Sequence, residues 1–115
     1  MSEILFKAAQ EFEKALETSD EFVQLKKLYD DVRHDESAKN IFENFRSIQL
    51  KLQEKQLMGH DITQEEAVHA QKCAQLAQQN AKIAALLKAE ERLSRMMLDL
   101  NKIMMKPLED LYEIR

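Results

Sequence analysis

Residues 38–81 read AKNIFENFRSIQLKLQEKQLMGHDITQEEAVHAQKCAQLAQQNA. In the first half, Ala38, Ile41, Phe45, Ile48 and Leu52 recur at alternating spacings of three and four. In the second half, Ala67, Ala70, Ala74, Ala77 and Ala81 recur at the same spacings. That period belongs to a coiled-coil-like seam between packed helices, here bulky on one side and almost pure alanine on the other. Gly59, the only glycine of the chain, stands between them. It can take the left-handed conformation that ends a helix, because it has no Cβ to clash. Folded antiparallel about Gly59, the stripes pair as Leu52 with Ala67, Ile48 with Ala70, Phe45 with Ala74, Ile41 with Ala77 and Ala38 with Ala81. Alanine lets the axes approach toward ~8 Å while the large side chains fill the holes. The expected product is a close-packed helical hairpin roughly 30 Å long.

Capping signals place the other helices. A first helix runs from about Glu3 to Glu17, with Leu5, Ala8, Phe12, Ala15 and Leu16 on one face. Thr18-Ser19-Asp20-Glu21 reads as a capping box opening a second helix from about Asp20 to Arg33. Asp35 is a good N-cap for the third, about Glu36 to Leu57. Thr63-Gln64-Glu65-Glu66 is another capping box and starts the fourth. Asn80 restarts the chain as a fifth helix to about Met105, with one continuous helix as the alternative. Pro107 suits the first position of a short last helix, Pro107 to Glu113. The fold class expected is all-α: an antiparallel bundle of five to six helices in a single domain, residues 1–115.

Composition agrees. A sheet protein needs turn residues every ~8–12 positions, and this chain has one Gly and one Pro in 115 residues. The net charge of −4 disfavours a dedicated DNA-binding module, which carries a basic excess. No apolar run reaches the ~18–20 residues of a membrane span, and residues 1–7 lack the pattern of a signal peptide. Cys73 is the only cysteine and cannot form an internal disulfide. A cytoplasmic setting is expected.

The apolar surface exceeds what one core needs. Leu50 and Leu57 lie one heptad apart on the face of helix three opposite its main stripe. Helix five is apolar over too wide an arc for one core face, and Leu93, Met97, Leu100 and Met104 belong to the surplus. Asn101 sits within that arc, where a polar residue can fix register or partner number. These residues are the expected interface of a homo-oligomer, a dimer being the commonest solution.

Candidate chemistry is sparse. Glu66, His69 and Cys73 lie on successive turns of one helix face and are weak candidates for metal ligands. A di-iron bundle needs two Glu-x-x-His helices, and a structural zinc site four ligands, so the expectation is no metal. Cys73 among alanine and glutamine is a poor nucleophile, and one glycine cannot build a phosphate-cradling loop. The expectation is therefore neither an enzyme nor a cofactor-binding protein, with no small-molecule substrate. From Ala67 to Ala89 there is no acid, only Lys72, Lys82 and Lys88. Facing this segment, Arg46, Lys51 and Lys55 are opposed only by Glu54. Arg46, Lys51, Lys55 and Lys72 thus form a candidate nucleic-acid contact. They support an alternative function as an RNA- or RNase-associated accessory factor.

Three groups of residues carry a family resemblance. Tyr29-Asp30-Asp31-Val32 leads to Asp35-Glu36-Ser37-Ala38-Lys39 and Phe42-Glu43-Asn44-Phe45-Arg46. Gln49 to Gly59 is followed by Ile62-Thr63-Gln64-Glu65-Glu66. Ala89-Glu90-Glu91-Arg92-Leu93, Leu100-Asn101-Lys102-Ile103 and Lys106-Pro107-Leu108-Glu109 complete the set. Together they resemble the YheA-like branch of the YlbF/YmcA family of small helical bacterial proteins, over nearly the whole chain. The resemblance implies a helical bundle that associates as dimers or higher oligomers. It also implies action through protein–protein contact, since better-understood relatives are non-enzymatic members of a complex affecting competence, sporulation, biofilm formation and RNA processing. Some relatives carry a C-terminal cysteine cluster suited to an iron–sulfur centre. This chain ends Leu111-Tyr112-Glu113-Ile114-Arg115 without one, so cluster binding does not carry over.

Overall fold

A computed structural model describes residues 2–112. They form five helices: α1 Glu3–Thr18, α2 Asp20–Arg33, α3 Glu36–Leu57, α4 Gln64–Gln79 and α5 Ala81–Tyr112. No strand occurs among the described residues.

Most helix ends follow from local chemistry. Asp35 caps α3 by accepting a hydrogen bond from the Ala38 amide. Thr63 and Glu66 form a reciprocal capping box at the start of α4: the hydroxyl accepts from the Glu66 amide, and the carboxylate accepts from the Thr63 amide. Gly59 has φ +72° and closes α3 in a Schellman motif. The His60 amide donates to the Lys55 carbonyl and the Gly59 amide to the Gln56 carbonyl. Asn80 is a single extended residue between α4 and α5, and its side chain accepts from the Ile83 amide. The chain therefore breaks there rather than running on as one helix.

Two expected boundaries are corrected. Thr18 does not cap α2; it ends α1, its hydroxyl donating back to the Lys14 and Ala15 carbonyls. Ser19 is the cap, accepting from the Phe22 amide at 3.2 Å. With Phe22 in the third position, no capping box can close there. Pro107 does not start a separate helix, because it lies inside α5. Its fixed φ already matches the helix, so the ring removes one donor without ending the ladder. Glu113 of the expected last helix lies outside the described residues.

The chain gathers into two compact units. One comprises residues 26–87. Its buried side chains include Val32, Ala38, Phe42, Ile48, Cys73, Ala77, Ile83 and Leu86. Here α3 packs along α4, and Tyr29 meets the Phe42 ring edge-on at 6.4 Å. The expected antiparallel register is visible in its ion pairs. Lys55, one turn beyond Leu52, meets Glu66, the neighbour of Ala67. Asp35, one turn before Ala38, meets Lys82, the neighbour of Ala81, at 2.9 Å. The alanine stripe is buried within its length and exposed at its two ends. Ala38 and Ala77 are fully buried, whereas Ala67 and Ala81 are exposed.

The other unit comprises, among the described residues, 2–25 and 88–112. Among its described residues only Ala89 is buried. Phe12, Leu16, Phe22 and Leu25 are half-buried, as are Leu93, Met96 and Leu100. Arg92 donates to Gln24 at 3.5 Å. This unit has apolar side chains but no sealed interior.

Candidate interaction surfaces

The residues singled out from sequence fall on three surfaces. The first is the basic ridge of α3. Lys55 Nζ lies 2.5 Å from Glu66 Oε1, and Lys51 Nζ lies 3.9 Å from Glu66 Oε2. Both lysines thus converge on one carboxylate across the hairpin. The Lys55 ammonium is the main reason the Glu66 carboxyl titrates at about 2, with the Thr63 amide second. The expectation that only Glu54 opposes this ridge is corrected. The missed acid is Glu66, and the pairing ladder that puts Leu52 opposite Ala67 would have found it by one further turn. Arg46 also has structural work. Its guanidinium lies 5.0 Å from the centre of the Phe42 ring and 5.9 Å from that of Phe45, and it donates to Gln49 at 3.1 Å. Lys72 is exposed on the outer face of α4, beside a shallow concavity with Gln64, Glu65, Val68 and His69.

Glu66, His69 and Cys73 share a helix but not an environment. Glu66 is engaged by Lys55 and Thr63, His69 faces outward, and Cys73 is buried as a small apolar side chain. Among the described residues no group of three or more His, Cys, Asp or Glu side chains is placed to hold a metal ion. No helix there is long and apolar enough to cross a membrane.

The second surface is the outer end of the α3–α4 hairpin. Leu50 is 60% exposed and Leu57 is 87% exposed. Met58 and Ile62, in the connection between the helices, are also exposed, and neither was singled out from sequence. Their signal was there: two large apolar residues flanking the one glycine turn.

The third surface is in the unit formed by the two ends of the chain. Ile103 is 70% and Met104 60% exposed, and Met97, Leu98, Met105, Leu108 and Leu111 are exposed beside them on α5. Leu93 and Leu100 are half-buried, and Asn101 is exposed. In α1, Ile4 is 85% exposed, and Leu5 and Phe6 are exposed as well. Three successive apolar side chains point in different directions around a helix, so the start of α1 is uncovered on more than one side.

Comparison with known proteins follows the same lines. The family described as "Control of competence regulator ComK, YlbF/YmcA" matches residues 5–109. The UPF0342 protein YheA of Bacillus subtilis is 55% identical over 107 residues, covering 93% of this chain and 92% of that protein. A solved structure of a protein of unknown function (DUF964) from Bacillus stearothermophilus superposes with a TM-score of 0.88 at 45% identity. That match covers 97% of this chain and 98% of the other. Bacillus subtilis RicA, solved in complex with RicF, shares the fold at a TM-score of 0.69 and 18% identity, over 97% and 99% of the two chains.

Proposed function

The chain belongs to the YlbF/YmcA family, and on that premise we propose that it is a non-enzymatic, cytosolic, self-associating adaptor that works by holding other proteins. The observation that carries this reading is the uncovered apolar surface of α5 and α1. Ile103, Met104 and Leu98 on α5, with Ile4, Leu5 and Phe6 on α1, stand exposed in a single chain. Burying one such side chain contributes roughly 1.5–3 kcal/mol. Large exposed apolar side chains in this number mark an interaction site. The α5 face supplies it on one helix, with Leu93, Met97, Leu100 and Met104 at the three-and-four spacing of a helix–helix seam and Asn101 beside them as a register-setting polar group. A second copy of the chain is its occupant. RicA, which shares the fold, was solved bound to RicF, which supports a role in protein assembly. Of the three side chains considered as metal ligands, Glu66 is engaged by Lys55 and Cys73 by burial, which fits a role carried by surface contact.

Sedimentation velocity at micromolar concentration tests the proposal. The expected species is a dimer or larger, and Met104→Asp, an exposed position, shifts it toward monomer with helical content unchanged. A wild-type chain that stays monomeric would overturn self-association.

A further inference from the structure

We propose that the self-associating face of α5 is also a redox switch: a peroxide that oxidises Met97, Met104 and Met105 releases the second copy. This rests on the self-association reading above and adds its regulation. Four of the chain's six methionines, Met96, Met97, Met104 and Met105, stand between residues 96 and 105 of α5. Helices α1 to α4 contain none. Where side chains are sealed the chain uses other apolar types, Val32, Phe42, Ile48, Ile83 and Leu86 among them. Methionine stands where the helix is open: Met104 is 60% exposed, and Met97 and Met105 are exposed with it. Met97, Asn101, Met104 and Met105 are spaced by three and four, so they share one face. Helix propensity does not account for the choice, because leucine and methionine form helices about equally well. The need for apolar area does not either, since Leu98 and Leu108 supply it on the same stretch. What methionine adds is a thioether sulfur, which is polarisable and reversibly oxidised.

The reaction needs only access to the sulfur. The thioether attacks one oxygen of hydrogen peroxide; an S–O bond forms and the O–O bond breaks. The sulfur loses two electrons, and the departing hydroxide takes the proton from the transferred oxygen and leaves as water. The product sulfoxide is polar and accepts hydrogen bonds. On an exposed helix water satisfies it, but in a helix–helix seam it is buried among apolar side chains at a cost. That cost falls on the associated state alone, and twice, because a two-fold contact repeats every residue. Folding of the single chain is spared, since these three side chains line no sealed interior. A dithiol-dependent reductase reverses the step: two thiols close to a disulfide and the oxygen leaves as water.

The test compares sedimentation velocity of the full chain before and after hydrogen peroxide, with peptide mass mapping of the oxidised positions. Oxygen on Met97, Met104 and Met105 should raise the Kd of self-association by about tenfold or more, with helical content unchanged. Methionine sulfoxide reductases with dithiothreitol should restore the oligomer. The triple variant Met97→Leu, Met104→Leu and Met105→Leu keeps the face apolar, so it should associate like wild type and ignore peroxide. Association should also shield the switch. Oxidation at Met104 should slow as protein concentration rises through Kd, while Met58, exposed outside α5, reacts at a constant rate. An oligomer that survives oxidation of all three methionines would overturn the switch and leave self-association standing. So would a triple variant dispersed by peroxide as readily as wild type. A chain already monomeric before peroxide would overturn the self-association reading itself, and the switch with it.

Discussion

Lys55 and Glu66 meet Nζ to Oε1 across the hairpin, and the same carboxylate oxygen accepts the Thr63 amide. One side chain therefore caps α4 and ties it to α3. Its carboxyl titrates at about 2, below the ordinary 4.5. The unfolded chain takes up a proton near the ordinary value, while the folded chain resists it until about 2. The contribution of Glu66 to stability is thus complete above the ordinary value and is lost as pH falls toward 2. In thermal melts, Glu66→Gln should lower Tm at neutral pH, and the gap from wild type should close steadily on acidification. A gap independent of pH would contradict this.

Gly59 should be hard to replace for a conformational reason alone. Its φ is +72°, and a Cβ there would meet nothing within 4 Å. Gly59→Ala is expected to destabilise by about 1 kcal/mol, the preference of an L-residue against the left-handed region. Asn tolerates that region better, so Gly59→Asn should lose less. Chemical denaturation of the three proteins ranks them.

The alanine seam predicts an asymmetry in volume tolerance. Ala77 is fully buried on α4, and Ile48 is buried on α3. Ala77→Leu forces bulk into the close approach and should cost about 1–3 kcal/mol. Ile48→Ala leaves a cavity and should cost about 2–5 kcal/mol. Urea titrations measure both, and a neutral Ala77→Leu would mean that the seam is loosely packed.

Pro107 removes a backbone donor from inside α5. Pro107→Ala restores the amide to the helix ladder and should stabilise the local helix by about 1–3 kcal/mol. Amide exchange at residues 103–112 should slow correspondingly. Unchanged exchange would indicate that this end of α5 is held by contacts other than its own ladder.

What was legible in the sequence was local or periodic. Gly59, Asp35, Asn80 and the Thr63–Glu66 box act through bonds to residues at most five positions away, and each is where its side-chain chemistry puts it. The hairpin register was legible because two stripes with the same spacing can pair only one way about a fixed turn. Thr18 and Ser19 are harder: two adjacent hydroxyls offer the same cap, but Thr18 is still helical and turns its hydroxyl back to α1, which leaves the extended Ser19 to accept from Phe22. Pro107 misled because the first turn of a helix and its interior accept the same φ. Glu66 lies in line with His69 and Cys73 on its own helix and in the Thr63 capping box, while its ionic partners, Lys55 and Lys51, lie across the hairpin.

The division of the chain also sets an order of events. Residues 26–87 include a hairpin whose halves are joined by a short turn, so its contacts are near in sequence and close quickly. The remaining unit joins residues 2–25 to residues 88–112. During synthesis it cannot begin to assemble until α5 beyond Lys88 has left the ribosome. Until then Phe12, Leu16 and Phe22, half-buried in the folded unit, lack their cover, so the nascent chain shows more apolar surface than the finished one.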